Sequence, residues 1–293
     1  MTRIGIVTSS PALGLVGITL GLTALSQLGI LGDTATLTAT ASFALLVFGL
    51  PHGTFDLALL RRADTAGRLS MPKLVLLYLG CAALMYSLWQ VGPVLALAGF
   101  LVTAVLHFAE DWQANGSRFI AAGIAAALLC APSLRHVESL RALFGIVTGN
   151  PDAAVLADVL LLLAPVCTVM ALVGMAMLWQ AGRRDLAVAA ACALTAMVML
   201  PPVQGFAVFF CLVHSPMQFR AHASLLGWHG FGAWRGAVVP LSLAGLAVAG
   251  LVFAAAGAPQ LADRIFIGSF VTLSILTVPH MLVPLIAARL GRR

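Results

Sequence analysis

Apolar runs long enough to cross a lipid bilayer recur ten times along this chain, and no other feature constrains its fold as strongly. They lie near residues 12–30, 38–60, 72–91, 93–113, 117–134, 154–180, 185–201, 203–224, 236–257 and 265–288. A bilayer core asks for about 20 apolar residues per helical crossing, and a helix satisfies its own backbone groups there. The expected fold is all-α: a polytopic membrane helix bundle of about ten spans, or eight if one hairpin is re-entrant. Only 9% of the residues are charged, where soluble domains carry about 25%. No soluble domain or long linker interrupts the pattern, so residues 1–293 are expected to form a single transmembrane bundle. The stretch 132–151 is less apolar, with Leu134, Val137, Leu140, Leu143 and Ile146 spaced along one face. It is expected to be an interfacial amphipathic segment lying on the membrane surface.

The net charge of +6 belongs to this picture rather than to nucleic-acid binding, because basic loops orient membrane proteins. With the N-terminus cytoplasmic, thirteen Lys and Arg fall on the cytoplasmic side. Arg135, Arg141 and Arg264 fall on the other. That asymmetry predicts cytoplasmic N and C termini and a multi-pass protein of the cell inner (plasma) membrane. The apolar stretch after Arg3 is too long for a signal peptide and is expected to remain as the first helix. Cys81, Cys130, Cys167, Cys192 and Cys211 all sit in apolar runs, form no CxxC pair, and read as small buried hydrophobes.

Four histidines fall inside the expected spans: His52, His107, His214 and His280. An ionisable side chain in a membrane is costly and points to function. All four occupy spans that run from outside to inside. The next basic residues are Arg61, Arg118, Arg220 and Arg289, at separations of 9, 11, 6 and 9 residues. At 1.5 Å per residue the imidazoles lie about 9–17 Å from the cytoplasmic edge. Four imidazoles in one layer are expected to form a metal site. Asp56 follows His52 at i+4, Glu110 and Asp111 follow His107 at i+3 and i+4, and Gln218 follows His214 at i+4. Residues so spaced share a helix face. Each is expected to support the histidine on its own helix, as the outer partners of metal ligands do. His136, His222 and His229 fall in interfacial or loop positions and are expected to take no part. Imidazole suits iron, zinc, copper or nickel. A site at this depth favours a lipid-soluble substrate and O₂, and so iron.

The motifs GLPHGTFD (Gly49–Asp56), HFAED (His107–Asp111), CLVHSP (Cys211–Pro216) and TVPHMLV (Thr277–Val283) resemble, in order and spacing, those of the Brp/Blh family of membrane β-carotene 15,15′-dioxygenases. The resemblance spans nearly the whole chain. It implies a non-haem Fe(2+) enzyme that splits the central double bond of β-carotene, or of a related carotenoid, with O₂. The product would be retinal, for use by a rhodopsin. Carried over by motif, His52, His107 and His214 would be iron ligands, with His280 as the fourth. The chain departs from the family pattern after the third histidine. Met217 and Gln218 stand where Arg and a further His are expected.

Phe100, Phe108, Phe206, Phe209, Phe210 and Phe270 are candidates for the lining of a tunnel that would hold a polyene among membrane lipids. Two other readings use the same residues. One is an intramembrane transporter or proton relay. The other is a carotenoid- or lipid-binding homologue altered in catalysis through Gln218. Metal content together with retinal production separates the three.

Overall fold

A computed structural model describes residues 10–31, 34–63, 71–227, 236 and 238–290; along these, several side chains, including that of His52 and those of residues 283–290, lie outside the description. Among the described residues the chain is helical, without strands. The helices are α1 (Ser10–Gln27), α2 (Ala35–Gly53), α3 (Asp56–Ala63), α4 (Met71–Val91), α5 (Pro93–Phe108), α6 (Arg118–Cys130), α7 (Ser133–Thr148), α8 (Ala154–Gln180), α9 (Arg184–Met199), α10 (Pro202–Phe209), α11 (Ser215–Leu226), α12 (Val239–Ala255) and α13 (Leu261–Leu290). Their boundaries follow local chemistry. Pro93 and Pro202 open α5 and α10 at the position where a missing N–H is harmless. Ser117 caps α6 by accepting from the Ile120 N–H. Gly227 ends α11 in the left-handed region.

By length and composition three segments can cross a membrane: Pro93–Ala114, Pro151–Gln180 and Leu261–Leu282. Helices α6 and α7 qualify together, bent by 65° as a broken span or re-entrant loop. Four further apolar helical stretches are shorter: Ala12–Gln27, Ala35–Pro51, Val75–Val91 and Val239–Ala255. The run expected over 38–60 is not one helix. It breaks at Thr54 and Phe55, after Pro51, whose carbonyl accepts from the Thr54 hydroxyl at 2.7 Å. The missing proline N–H removes a ladder bond, which is where a helix can turn. The segment read as amphipathic is α7. It turns Leu140, Phe144 and Val147 inward and packs on α8.

Helix α13 is the spine of the site half, packed against α2, α3, α4, α5 and α12. Trp89 of α4 donates its indole N–H to Ser274 of α13 at 2.7 Å inside this packing. The outer face of α8 exposes Leu162, Val166 and Val169, as a lipid-facing surface requires. Its inner face meets α6 through small residues. A Cβ on Gly174 would stand 2.6 Å from Ile124. Close approach at small residues is the usual mode of helix packing in membranes.

Helices α9 and α10 meet most tightly at Gly205. A Cβ there would lie 2.8 Å from the Ala196 carbonyl oxygen and 3.2 Å from the Met197 Cα. These are backbone atoms that cannot swing aside. Gly205→Ala is therefore expected to cost about 1–3 kcal/mol of stability. Thermal unfolding in detergent should show a lower midpoint. An unchanged midpoint would contradict the close contact.

Candidate active site

Three of the four histidines of the apolar runs come together. His107 closes α5, His214 sits at the end of a π-helical turn (Phe210–His214) between α10 and α11, and His280 follows Pro279 in α13. All three are buried. Nε2 of His107 faces Nε2 of His214 at 3.0 Å. The His107 ring centroid lies 4.7 Å from that of His214 and 4.8 Å from that of His280. The fourth, His52, has its backbone in the last turn of α2; its side chain lies outside the described residues.

The bonds of the Asp56 and Asp111 carboxylates seen among the described residues run between helices. Asp56 bonds His280 of α13, with Nδ1 to Oδ1 at 2.7 Å. Asp111 bonds His214, with Nδ1 to Oδ2 at 2.8 Å. Gln218 donates its amide N–H to the other Asp111 oxygen, Oδ1, at 2.8 Å. The support is between helices, because both acids follow breaks in regular helix. Asp56 opens α3 after the break at Thr54 and Phe55. Asp111 lies in a stretch of 3₁₀ helix, Ala109–Asn115. A 3₁₀ helix turns every three residues, so i+4 no longer shares a face with i. Glu110, on that stretch, is exposed.

The two carboxylates fix the tautomers. A carboxylate only accepts, so each bonded Nδ1 carries the proton and leaves Nε2 as a lone pair. His214 and His280 therefore present ligand-type nitrogens. Among the described residues, no Lys or Arg forms a salt bridge with Asp56 or Asp111. Oδ2 of Asp56 is buried, and Tyr78 stands within reach of the carboxylate. Two buried carboxylates bonded to imidazoles make a set of groups that suits a cation.

Part of the cluster, His107 and His280 with Asp56, forms one wall of an apolar cavity of about 230 Å³; His214 does not line it. Asp56, Tyr78, His107 and His280 are its polar side, joined by Thr54 and Thr277. Five of the six phenylalanines expected to line a tunnel do so: Phe100, Phe108, Phe206, Phe210 and Phe270. Phe209 does not. It is fully buried, packed edge-on against Phe108 at 5.0 Å. Leu79 of α4 and Leu241 and Val248 of α12 line the cavity and are also exposed. The cavity thus reaches the apolar outer surface between these helices. On the other side, the Ser215 hydroxyl bonds the Phe48 carbonyl and ties the π-helical turn to α2.

Comparison with known proteins decides the family. The model of the family described as beta-carotene 15,15′-dioxygenase matches residues 43–286. The chain belongs to this family. A similar protein is the beta-carotene 15,15′-dioxygenase of uncultured marine bacterium 66A03, 27% identical over 256 residues, covering 83% of this chain and 91% of the relative. No solved structure matches. The family match takes in all four motif histidines, the two carboxylates and Gln218.

Within this family member the sequence reading missed one neighbour. His222, set aside as a loop residue, lies two turns past His214 on α11. Its ring centroid is 6.2 Å from that of His280 and 6.0 Å from that of Phe55. Its spacing of i+4 from Gln218 and i+8 from His214 was the available signal. His229 lies outside the described residues.

Proposed function

We propose that this chain is a non-haem iron dioxygenase that cleaves the central 15,15′ double bond of β-carotene with O₂ to give two molecules of retinal. One observation carries the reading: a histidine cluster braced by Asp56 and Asp111 reaches, through His107 and His280, the wall of an apolar cavity that opens on the apolar outer surface. A soluble substrate would not need such an opening, and a lipid need not meet imidazoles. A water path would carry polar side chains along its length, whereas here they gather on one side of the cavity.

One pair of imidazoles has the spacing of two ligands on one ion. Two imidazole nitrogens that share one metal ion must stand close together. The His107–His214 separation is 3.0 Å. Among the described residues no three donors already converge as an ion-holding group. His107, His214 and His280 would hold the metal, with His52 as the further ligand from the end of α2. Bound there, ferrous iron supplies the open-shell reactivity that lets O₂ attack a closed-shell alkene. The protein's own part is placement. Asp111 and Asp56 hold two rings with Nε2 presented, and Gln218 holds Asp111. The phenylalanine lining excludes water and orients the polyene. The reaction balances: one C=C bond and one O₂ become two C=O groups, with no other reductant.

Expression in β-carotene-accumulating cells tests the proposal. The expected outcome is loss of colour with retinal as the product on chromatography. Colour retained, with carotenoid bound to the purified chain and no retinal, would favour the binding homologue instead. An intact chain that is dispensable for retinal and moves protons across vesicles would favour the relay.

A further inference from the structure

A second, smaller cavity of about 80 Å³ adjoins the first. The two share Leu45, Phe100, Ala104, Phe206 and Phe270 in their walls. Phe100 and Phe270 meet edge-to-face at 5.0 Å between centroids in this shared wall. Beyond it the lining comes from α6, α7, α8 and α9, through Leu129, Leu143, Leu160 and Met197 among others, without a polar side chain. His107 and His280 line only the first cavity. Along α13, Phe270 stands about 15 Å and Phe266 about 21 Å from His280 at 1.5 Å per residue. The two cavities are therefore adjacent across these side chains, with the imidazoles in the wall of the first and an apolar lining around the second.

We infer that the second cavity is a recess that seats one arm of the polyene and sets which end groups the enzyme accepts. The inference rests on the proposed carotenoid cleavage and deepens it. An apolar recess has no partner for a charged or strongly hydrogen-bonding ligand, since burying such a group unpaired is costly. A linear isoprenoid whose reacting bond lies beside the imidazoles must place what extends from that bond somewhere, and the recess adjoins the space. The recess then limits the arm by length and girth, while the outward-opening cavity takes the other arm.

Leu143 of α7 lines the recess and not the first cavity, so Leu143→Trp shortens the space without touching the imidazoles. Purified wild type and variant are compared on β-carotene and on 8′-apo-β-carotenal, which has one arm shortened. The measurements are kcat/KM and the polyene retained per chain by visible absorbance. The expected result is a fall of about tenfold or more in the β-carotene to apocarotenal ratio, the scale on which an apolar pocket discriminates by size. Leu162→Trp, on the outer face of α8, should leave the ratio unchanged. If Leu143→Trp does not accumulate, Leu143→Ala enlarges the same recess and should raise acceptance of a polyene with a bulkier end ring. An equal fall on both polyenes, or no change from either variant, overturns the inference. A wild type that retains both polyenes but forms no aldehyde overturns the proposed function, and the retained ratio still decides the role of the recess. A wild type that retains neither overturns both.

Discussion

Replacing His214 by alanine is expected to abolish retinal formation while leaving the helix bundle folded. His214 is the most enclosed of the three clustered rings, at 0% exposure. Its two nitrogens join the halves of the site. Nε2 faces His107 and Nδ1 holds Asp111. Removing the ring takes away one proposed ligand and releases the carboxylate that Gln218 also holds. Loss of a supporting partner alone costs about 10–100-fold in metal affinity or activity. Loss of a ligand should exceed about 100-fold in both, measured as iron per chain and retinal per minute on one preparation. His214→Gln keeps a polar side chain in the space and serves where the alanine variant does not accumulate. Wild-type iron content in either variant would remove His214 from the ligand set.

Asp111→Asn carries the second large effect. The carboxylate accepts from His214 at one oxygen and from Gln218 at the other. An asparagine has one acceptor oxygen for two donors. With its N–H₂ toward Gln218, that amide must flip to accept; with it toward His214, the Nδ1 proton loses its acceptor; in either case the negative charge that holds the Nδ1 proton is gone. The His214 ring is then free to change tautomer or rotate. The expected loss is about 10–100-fold in iron affinity, by titration with a competing chelator. Gln218→Leu should lose less, since it leaves the His214 bond in place. The double variant should lose far less than the two losses combined, because both act through one chain of bonds. Gln218→His retains a ring N–H that can reach the carboxylate and should restore most of what leucine loses. Independent, additive losses would contradict the Gln218–Asp111–His214 linkage.

The helices and three members of the histidine cluster were legible because they rest on composition and on coarse position along the chain. Apolar runs mark helices whatever their detailed geometry. Depth counted from Arg118, Arg220 and Arg289 needs only the mean rise of a helix. The side-chain partners were not legible for the opposite reason. Pairing by i+4 assumes an unbroken α-helix, and the site residues gather where regularity fails. Pro51 ends α2 early, a stretch of 3₁₀ helix carries Asp111, and a π-helical turn carries His214. Irregular turns of this kind often mark functional sites. The π-helical turn is held by tertiary contacts: the bond from Ser215 to the Phe48 carbonyl and the packing of Phe210 beside Gly49. Gln218 shows the same limit. By spacing it should serve the histidine on its own helix, but it reaches that ring only through a carboxylate from another.

The most direct measurement is product formation by the purified chain as metal is removed and returned. Given β-carotene and O₂ in detergent, the protein should form retinal as its one aldehyde product. It should lose that activity after chelation and recover it with ferrous iron but not with zinc. Retinal formation unaffected by chelation, or a mixture of aldehydes of unequal length from the iron-loaded protein, would contradict central cleavage at a histidine-held iron.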